Sequence, residues 1–340
     1  MKARTLFLLL SVFLVSLQAQ AAKTLCVFDV IGANGDAYKL MKRYALEAKA
    51  LDIDFQLKPY TDEGVALGDF LSGQCDVLAA TDLRIRRFNR FTGSVSAVGA
   101  IPTYDELRTV LMTLARPKAA KYMTEGDYEI LGIVPLGAGY LFVDDRGINT
   151  AAKLAGKKMA TLDYQKDAIH MVNYVNGTVV PSDITNFGGK FNNGMVDAAY
   201  APAWAYEALE LYKGIGEQGG VVDYPLAQLT MQLVAKDDLV GPEKAQKLRE
   251  IAAGLFDQAM DVIKRHEKRI PEKDWIKIPQ ADIEDYQEMF RQNRLELRDG
   301  KDSDGNVVPQ VYHPTMLTLL RKVRCQATPS AHECTAADRE

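Results

Sequence analysis

Between residues 23 and 81, short apolar runs alternate with segments of helical periodicity. The runs 23–30, 53–58 and 75–81 predict strands, the second of which ends before Pro59. Segments 37–48 and 62–71 carry apolar stripes at helical spacing and predict helices. Strands that are joined by helices lie parallel in one sheet, so this part of the chain predicts an α/β fold.

The same alternation restarts near residue 150. Residues 158–162 and 196–200 predict strands, and residues 165–175 and 183–192 predict helices. Without its first 21 residues the chain has roughly 320 residues. That is more than a single hydrophobic core usually supports, which favours two lobes. We therefore predict a two-lobed fold like that of the type II periplasmic binding proteins, each lobe a mostly parallel sheet flanked by helices.

Long apolar runs connect the two halves, and helical patterns follow them. Runs 128–135, 140–143 and 226–235 predict hinge strands that cross between the lobes. Helices are predicted from Pro242 through an apolar stripe that reaches Val262, and over residues 280–297. The domain assignment is residues 22–135 with 236–265 for lobe I, residues 136–235 with 266–298 for lobe II, and residues 299–340 for a C-terminal extension.

Residues 1–21 have the pattern of a cleaved export signal. Lys2 and Arg4 precede an apolar core of about a dozen residues, which is shorter than the roughly 20 that span a bilayer. Ala19-Gln20-Ala21 forms a small-x-small cleavage site. The pattern predicts a periplasmic protein that is exported with a cleaved signal peptide.

Composition and charge limit the classes of partner. Charged residues make up 25% of the chain and hydrophobic residues 47%, as in ordinary globular proteins. The formal charge is −4, and removal of Lys2 and Arg4 lowers it by two. A mildly acidic chain without a clustered basic face lacks the means to neutralise phosphates, so we expect no nucleic-acid partner.

Four cysteines follow the signal, an even number in an oxidising compartment. Three pairings are open to them, and buried free thiols are the alternative. Right-handed crossovers in a β-α-β-α-β unit place the strands in the order 2-1-3, which makes Cys26 and Cys75 neighbours. Cys325 is then left to close a short loop with Cys334.

Three segments resemble a known family of binding proteins. Residues 151–161, which read AAKLAGKKMAT, are similar to the stretch that opens the second lobe of the DctP-like extracytoplasmic solute-binding proteins of TRAP transporters. Residues 194–202, GMVDAAYAP, are similar to the strand start that follows in that family, and Gly73-Gln74-Cys75-Asp76-Val77 repeats that pattern in the first lobe. Within the family, the chain looks most like the AdeT-type proteins.

The resemblance implies a receptor that captures a small molecule in a cleft between the lobes. It also implies inner-membrane transporter subunits as the partner that accepts the molecule. An alternative is a periplasmic accessory or sensor protein that uses the same fold within an RND-type efflux complex or a signalling complex.

At one position the chain departs from the family pattern. The arginine that clamps a ligand carboxylate in the family aligns with Ala160. Alanine cannot form the paired hydrogen bonds of a guanidinium, so the ligand class is open. Arg84, Arg86 and Arg87 follow the third strand and are candidates to bind an anionic ligand in its place, with Asp82 as a partner that orients them. The alternative is a solvated surface turn.

Aromatic and polar side chains at predicted strand ends complete the candidate ligand site. Aromatic rings there offer flat apolar faces and polar tips, although each is also a common core residue. Asp29 and Asn34 lie in the first loop, where they are candidates to bind a hydroxyl or an amine; Asp29 is equally a candidate to cap the next helix. The aromatic candidates are Tyr104, Tyr140, Tyr164, Tyr200 and Trp204.

No pattern of catalytic or metal chemistry is present in the sequence. The four histidines are scattered and none lies at metal-ligand spacing from another histidine or a cysteine. No Gly-x-Ser-x-Gly elbow occurs, and the glycine-rich segment 187–194 lacks the spacing of a phosphate-binding loop. We therefore expect neither a cofactor nor a metal, and a binding protein instead of an enzyme.

Overall fold

The computed structural model describes residues 22–340, so the predicted export signal lies outside the described residues. The described chain has eleven strands in one mixed sheet, in the order β2-β1-β3-β10-β5-β8-β6-β7 with β4, β9 and β11 alongside. The strands are β1 Lys23–Phe28, β2 Phe55–Tyr60, β3 Val77–Thr81, β4 Thr124–Glu125, β5 Tyr128–Val143, β6 Lys158–Leu162, β7 Thr178–Ser182, β8 Ala198–Pro202, β9 Gly220–Val222, β10 Ala227–Lys236 and β11 Trp275–Ile276.

Helices cover both faces of this sheet. They are α1 Asp36–Ala48, α2 Glu63–Leu71, α3 Asp82–Ile85, α4 Tyr104–Leu114, α5 Lys166–Tyr174, α6 Phe187–Asn192, α7 Ala205–Ala208, α8 Tyr212–Ile215, α9 Pro242–Gly254, α10 Phe256–Glu267, α11 Gln280–Asp299, α12 Pro314–Ala327 and α13 His332–Thr335. Within residues 22–340, none of the helices has the length and apolarity that crossing a membrane requires.

The predicted two-lobed α/β class is confirmed. In the first lobe β1 pairs in parallel with β2 on one side and β3 on the other, which is the expected order. In the second lobe β6 pairs in parallel with β7 and β8. Adjacent residues of β5, such as Ile130 and Leu131, belong to different apolar clusters, so each face of the sheet has its own core.

Two long antiparallel strands join the lobes. β10 pairs with β3 of the first lobe and with β5, and β5 continues to pair with β8 of the second. Their register shifts where Gly137 faces Leu229 and Pro135 faces Thr230, so Leu136 is an extra residue between them. Gly137 has a φ of 116°, which side-chain-bearing residues rarely adopt. The predicted hinge strands are therefore present, with a bulge at their centre.

Several element boundaries differ from those predicted. β2 runs through Pro59 to Tyr60, because it is an edge strand and needs no amide hydrogen on its outer side. The apolar stripe predicted from residue 242 to 262 belongs to two helices, α9 and α10, which are separated at Leu255. The helix predicted over residues 183–192 begins at Phe187, since Asp183 and Asn186 form a hydrogen-bonded turn instead.

The predicted disulfides Cys26–Cys75 and Cys325–Cys334 are both present. The first joins the neighbouring strands of the first lobe and closes a loop of 49 residues. The second fastens α12 to α13. By constraining the unfolded chain, each disulfide favours the folded state, the longer loop by more.

Helix α11 connects the cores of the two lobes. Tyr286 and Phe290 pack into the second-lobe core, and Leu297, two turns further on, packs into the first-lobe core. The segment 299–340 also joins the first lobe, since Tyr312 and Leu317 are fully buried there and α12 packs against α4. The lobe boundaries given above stay a prediction.

Candidate functional site

Two pairs of parallel strands, one pair from each lobe, run in opposite directions, so their carboxyl ends face each other at the boundary between the lobes, which we call the crevice. β1 and β3 supply its first-lobe wall, and β6 and β8 supply its second-lobe wall. In open α/β sheets, ligands bind beyond the carboxyl ends of strands, where the connecting loops present side chains and free amide groups. The loops after these strands carry most of the predicted site residues.

Arg84 and Tyr164 meet across the crevice. The guanidinium carbon of Arg84 lies 3.5 Å from the centre of the Tyr164 ring, and its Nε lies 3.4 Å from Glu63 Oε2. Tyr164 donates its hydroxyl hydrogen to the same carboxylate oxygen at 3.2 Å. Burial raises the pKa of Glu63, and the hydrogen bonds and Arg84 oppose that rise. The structure thus brings two predicted residues together, around a glutamate that the sequence did not single out.

A second cross-lobe contact joins Arg86 to Asp167. Arg86 Nη1 donates to Asp167 Oδ2 at 2.8 Å, and Tyr312 donates to the same oxygen at 3.0 Å. Arg86 is held from behind, because it also donates to the carbonyl of Gly93 at 2.8 Å. Nothing in the sequence indicated Asp167 or Tyr312. Arg86 and Asp167 are 81 residues apart, and Asp167 and Tyr312 are 145 residues apart, so their contacts leave no local pattern.

Arg87 and Asp82, the other two candidates of this segment, lie in environments different from those of Arg84 and Arg86. Arg87 is exposed, and its guanidinium lies 5.5 Å from the centre of the Phe88 ring within the first lobe. Asp82 is fully buried and accepts a hydrogen bond from the backbone amide of Thr230 at 3.1 Å, so it fixes α3 to β10. Burial raises the pKa of Asp82 to about 6.

Tyr104 and Tyr140 share one acceptor beside the hinge. The hydroxyl of Tyr140 donates to Glu267 Oε1 at 2.8 Å, and that of Tyr104 donates to the same oxygen. The amide of Ala138 donates to Tyr104 at 3.3 Å, which ties α4 to β5. Burial raises the pKa of both tyrosines. Both hydroxyls are thus engaged within the protein, and Glu267 is a further residue that the sequence did not indicate.

Asp29, Asn34 and Trp204 line a cavity of about 370 Å³. First-lobe residues from the end of β1 and the start of α1 form one side, and Trp204 and Ala208 of the second lobe form another. The walls are mainly apolar; among the charged lining residues Lys39, Arg265 and Arg269 are exposed and Asp29 is buried. The remaining lining residues are Phe28, Val30, Ile31, Gly35, Asp36, Ala37, Leu40, Val134, Pro135, Leu136, Met231, Ala259, Val262, Ile263 and His266.

Asp29 caps the first helix, as the sequence allowed. Its carboxylate oxygens accept hydrogen bonds from the amides of Ile31 at 2.9 Å and Tyr38 at 3.1 Å. The N-cap position itself belongs to Gly35. A β-carbon at Gly35 would occupy the space of the Asp29 carboxylate, so the close approach requires glycine there.

Gly35→Ala is expected to lower the free energy of unfolding by about 1–3 kcal/mol, because Asp29 must leave its two amide donors. Chemical denaturation measures the change. Gly68→Ala is the matched control, since Gly68 lies in α2 with no atom within 4 Å of an added β-carbon. Alanine is the better helix former, so the control should be neutral or stabilising. A Gly35→Ala protein as stable as the wild type would contradict the capping role.

Tyr200 lines a second cavity of about 130 Å³, beneath α5. Its hydroxyl donates to Gln165 Oε1 at 2.7 Å and accepts from the amide of Leu162 at 3.4 Å. Burial raises the pKa of Tyr200. Tyr200 is therefore separated from Asp29, Asn34 and Trp204, and the predicted residues divide between two cavities and the contacts that lie across the crevice.

Ala160, the residue aligned with the family's clamp arginine, is a buried core residue of the second lobe. It lies in β6 between Val180 and Ala199 of the neighbouring strands and is 2% exposed. Its cluster consists of apolar side chains, so an arginine there would need charged partners that this core does not supply. Among residues 22–340, no group of three or more histidine, cysteine or acidic side chains is placed to hold a metal ion.

Comparison with known sequences identifies relatives over almost the whole chain. The profile of the family described as "Solute-binding protein AdeT 1/2" matches residues 45–339. "Probable solute-binding protein AdeT1" of Acinetobacter baumannii is 40% identical over 312 residues, which cover 92% of this chain and 100% of that protein. "Probable solute-binding protein AdeT2" of the same organism is 23% identical over 243 residues, covering 71% of this chain and 98% of that protein.

Solved structures with the same fold share little sequence identity with this chain. A TRAP periplasmic solute-binding protein from Desulfovibrio salexigens with bound orotic acid has a TM-score of 0.67 at 14% identity, covering 90% of this chain and 99% of its own. One from Rhodoferax ferrireducens with bound malonate has a TM-score of 0.69 at 11% identity, covering 89% and 98%. One from Xanthobacter autotrophicus Py2 with bound β-D-galacturonate has a TM-score of 0.67 at 15% identity, covering 88% and 99%.

Proposed function

The chain belongs to the AdeT 1/2 family of solute-binding proteins, and on that basis we propose that it captures a small molecule in the crevice between its two lobes. The lobes close around the ligand, and the closed form is the one that a membrane protein recognises. Closure is stabilised by the ligand's contacts with both walls, which only the closed form provides.

The observation that supports this proposal is the 370 Å³ cavity, whose walls come from both lobes. Its size is within the range of pockets that hold small molecules, and its mainly apolar walls with a few polar groups are typical of such sites. A cavity that is built from two lobes changes shape when they move. Ligand binding there is therefore coupled to the open–closed equilibrium.

We infer that the ligand carries a ring or an apolar body that rests on Trp204. The indole is only partly buried, so it has area left to cover. An acidic group on such a ligand would be met by Arg265 of the cavity lining, not at Ala160, whereas Lys39 of the same lining already pairs with Asp36 at 3.5 Å. Arg84 is less suited to this task, because Tyr164 covers its face and Glu63 balances its charge.

The proposed setting is the periplasm, with membrane transporter subunits of the TRAP type as partner. The alternative is an accessory or sensor protein of an efflux or signalling complex, for which the same crevice would report a ligand without delivering it. Co-encoded TRAP membrane subunits would favour delivery, and a gene beside an efflux pump would favour the alternative. Neither function requires turnover of the ligand.

Trp204→Ala is expected to weaken ligand binding roughly tenfold or more, about 1.5 kcal/mol, because the stacking surface is lost. Mass spectrometry of the small molecules that co-purify identifies the compound, and calorimetry then measures its affinity. Tyr212→Ala is the matched control, since Tyr212 is an exposed second-lobe aromatic outside the cavity lining. Equal affinities for the wild type and Trp204→Ala would place binding elsewhere.

A further inference from the structure

The 130 Å³ cavity differs from the crevice cavity in position and chemistry. It lies between α5, the second-lobe part of the sheet and α11, and a few first-lobe residues such as Val98 close one side. Its walls are almost entirely aliphatic and aromatic side chains. They include Leu154, Met159, Met171, Val172, Val222 and Phe290.

The polar side chains in this wall are either uncharged, as Asn149 and Thr150 are, or already paired. Tyr200 donates to Gln165 at 2.7 Å, and Tyr312 donates to Asp167 at 3.0 Å. The charge of Asp167 is balanced by Arg86 at 2.8 Å. A bound molecule therefore finds a neutral apolar surface, and a charged group would enter without a counter-ion.

We propose that this cavity is a second binding site, for a neutral apolar molecule of about the size of one aromatic ring. Protein interiors are close-packed, and voids much larger than a water molecule are few. An apolar cavity of about 150 Å³ is known to stay dry and to bind benzene, so the space here suits the same class of molecule. Such a void gains packing contacts when it is filled, which favours binding.

Toluene, titrated into the purified full-length chain by calorimetry, tests the proposal. We expect toluene to bind and benzoate to bind at least tenfold more weakly, because the carboxylate would be buried without a partner. Val172→Phe fills the cavity from α5 and should weaken toluene binding at least tenfold. Ala168→Leu also fills space at the same wall, with an aliphatic side chain in place of a ring, and should also weaken toluene binding, which keeps the test open if Val172→Phe does not fold.

Two controls separate this site from the rest of the protein. Ile169 lies on the same helix but outside the lining, so Ile169→Phe should change toluene affinity less than twofold. Trp204→Ala, which alters the crevice cavity, should also leave it within twofold. Three results would each overturn the proposal: no binding of toluene by the wild type, wild-type toluene affinity in both cavity-filling variants, or a loss of toluene affinity in Trp204→Ala. Only the last of these results would point to the crevice.

Discussion

Asp167→Ala is expected to open the two lobes. The Asp167 side chain is 5% exposed and that of Arg86 is 12% exposed, so their contact at 2.8 Å is shielded from water. Removal of one partner from a buried ion pair costs about 3–5 kcal/mol, because the other charge is left uncompensated. Arg86 stays in place through its hydrogen bond to Gly93, so separation of the lobes is the available way to hydrate it. The closed form should lose at least about a hundredfold in population relative to the open form.

Small-angle scattering of the ligand-free protein measures this change as a larger radius of gyration. Asp163→Ala is the control, because Asp163 is an exposed acid four residues earlier in the same segment. The double variant Arg86→Met with Asp167→Leu removes both charges and should recover much of the closed form. A scattering profile of Asp167→Ala identical to that of the wild type would show that the pair does not hold the lobes together.

Glu340→Ala is expected to lower the free energy of unfolding by about 3–5 kcal/mol. Glu340 is buried and forms ion pairs with Arg294 of α11 and Arg324 of α12, which are themselves buried. Both arginines also donate to first-lobe carbonyls, Arg294 to Val98 and Arg324 to Ala100, each at 2.7 Å. Without Glu340, only Glu333 remains to balance two buried guanidinium groups.

The loss of unfolding free energy in Glu340→Ala should depend on pH. Burial alone would raise the pKa of Glu340, but Arg294 and Arg324 outweigh burial and hold the pKa below 4.5. The ionised carboxylate therefore stabilises the fold above about pH 4.5, and this contribution disappears as the pH falls through the lowered pKa. Urea denaturation of wild type and variant at pH 7 and pH 3 measures both effects. Asp338→Ala, which removes an exposed acid, should cost under about 1 kcal/mol; an equal cost for both variants would contradict the burial argument.

The architecture was predictable because it follows from local patterns and general rules of topology. Cys26 and Cys75 were paired correctly, since right-handed crossovers fix the order of the first three strands. Strand 158–162 was predicted to the residue from its apolar run. The single strand β5 was not, because Gly137 and Gly139 interrupt its apolar pattern while the partner strand β10 still pairs across them.

The site was less predictable, because its contacts depend on the relative position of two lobes. The sequence placed Arg84 and Tyr164 at strand ends, but it gave no sign that one covers the other. It grouped Arg84, Arg86 and Arg87 together, although the turn of α3 sends Arg86 across the crevice and leaves Arg87 exposed. Glu63 lies in the first turn of α2, where an acidic residue is ordinary, and Glu267 ends α10 without a motif that would mark it as a shared acceptor.

The paired crossing strands also restrict the path by which the lobes approach each other. β5 and β10 remain hydrogen-bonded on both sides of Leu136, and their second register shift, at Leu131, lies inside the first-lobe core, so bending is concentrated at the bulge between the lobes. Rotation about a single axis follows, without the freedom to slide or swivel that a flexible linker would give. Both walls then meet every incoming molecule in the same mutual orientation, and selection by shape takes place during closure itself.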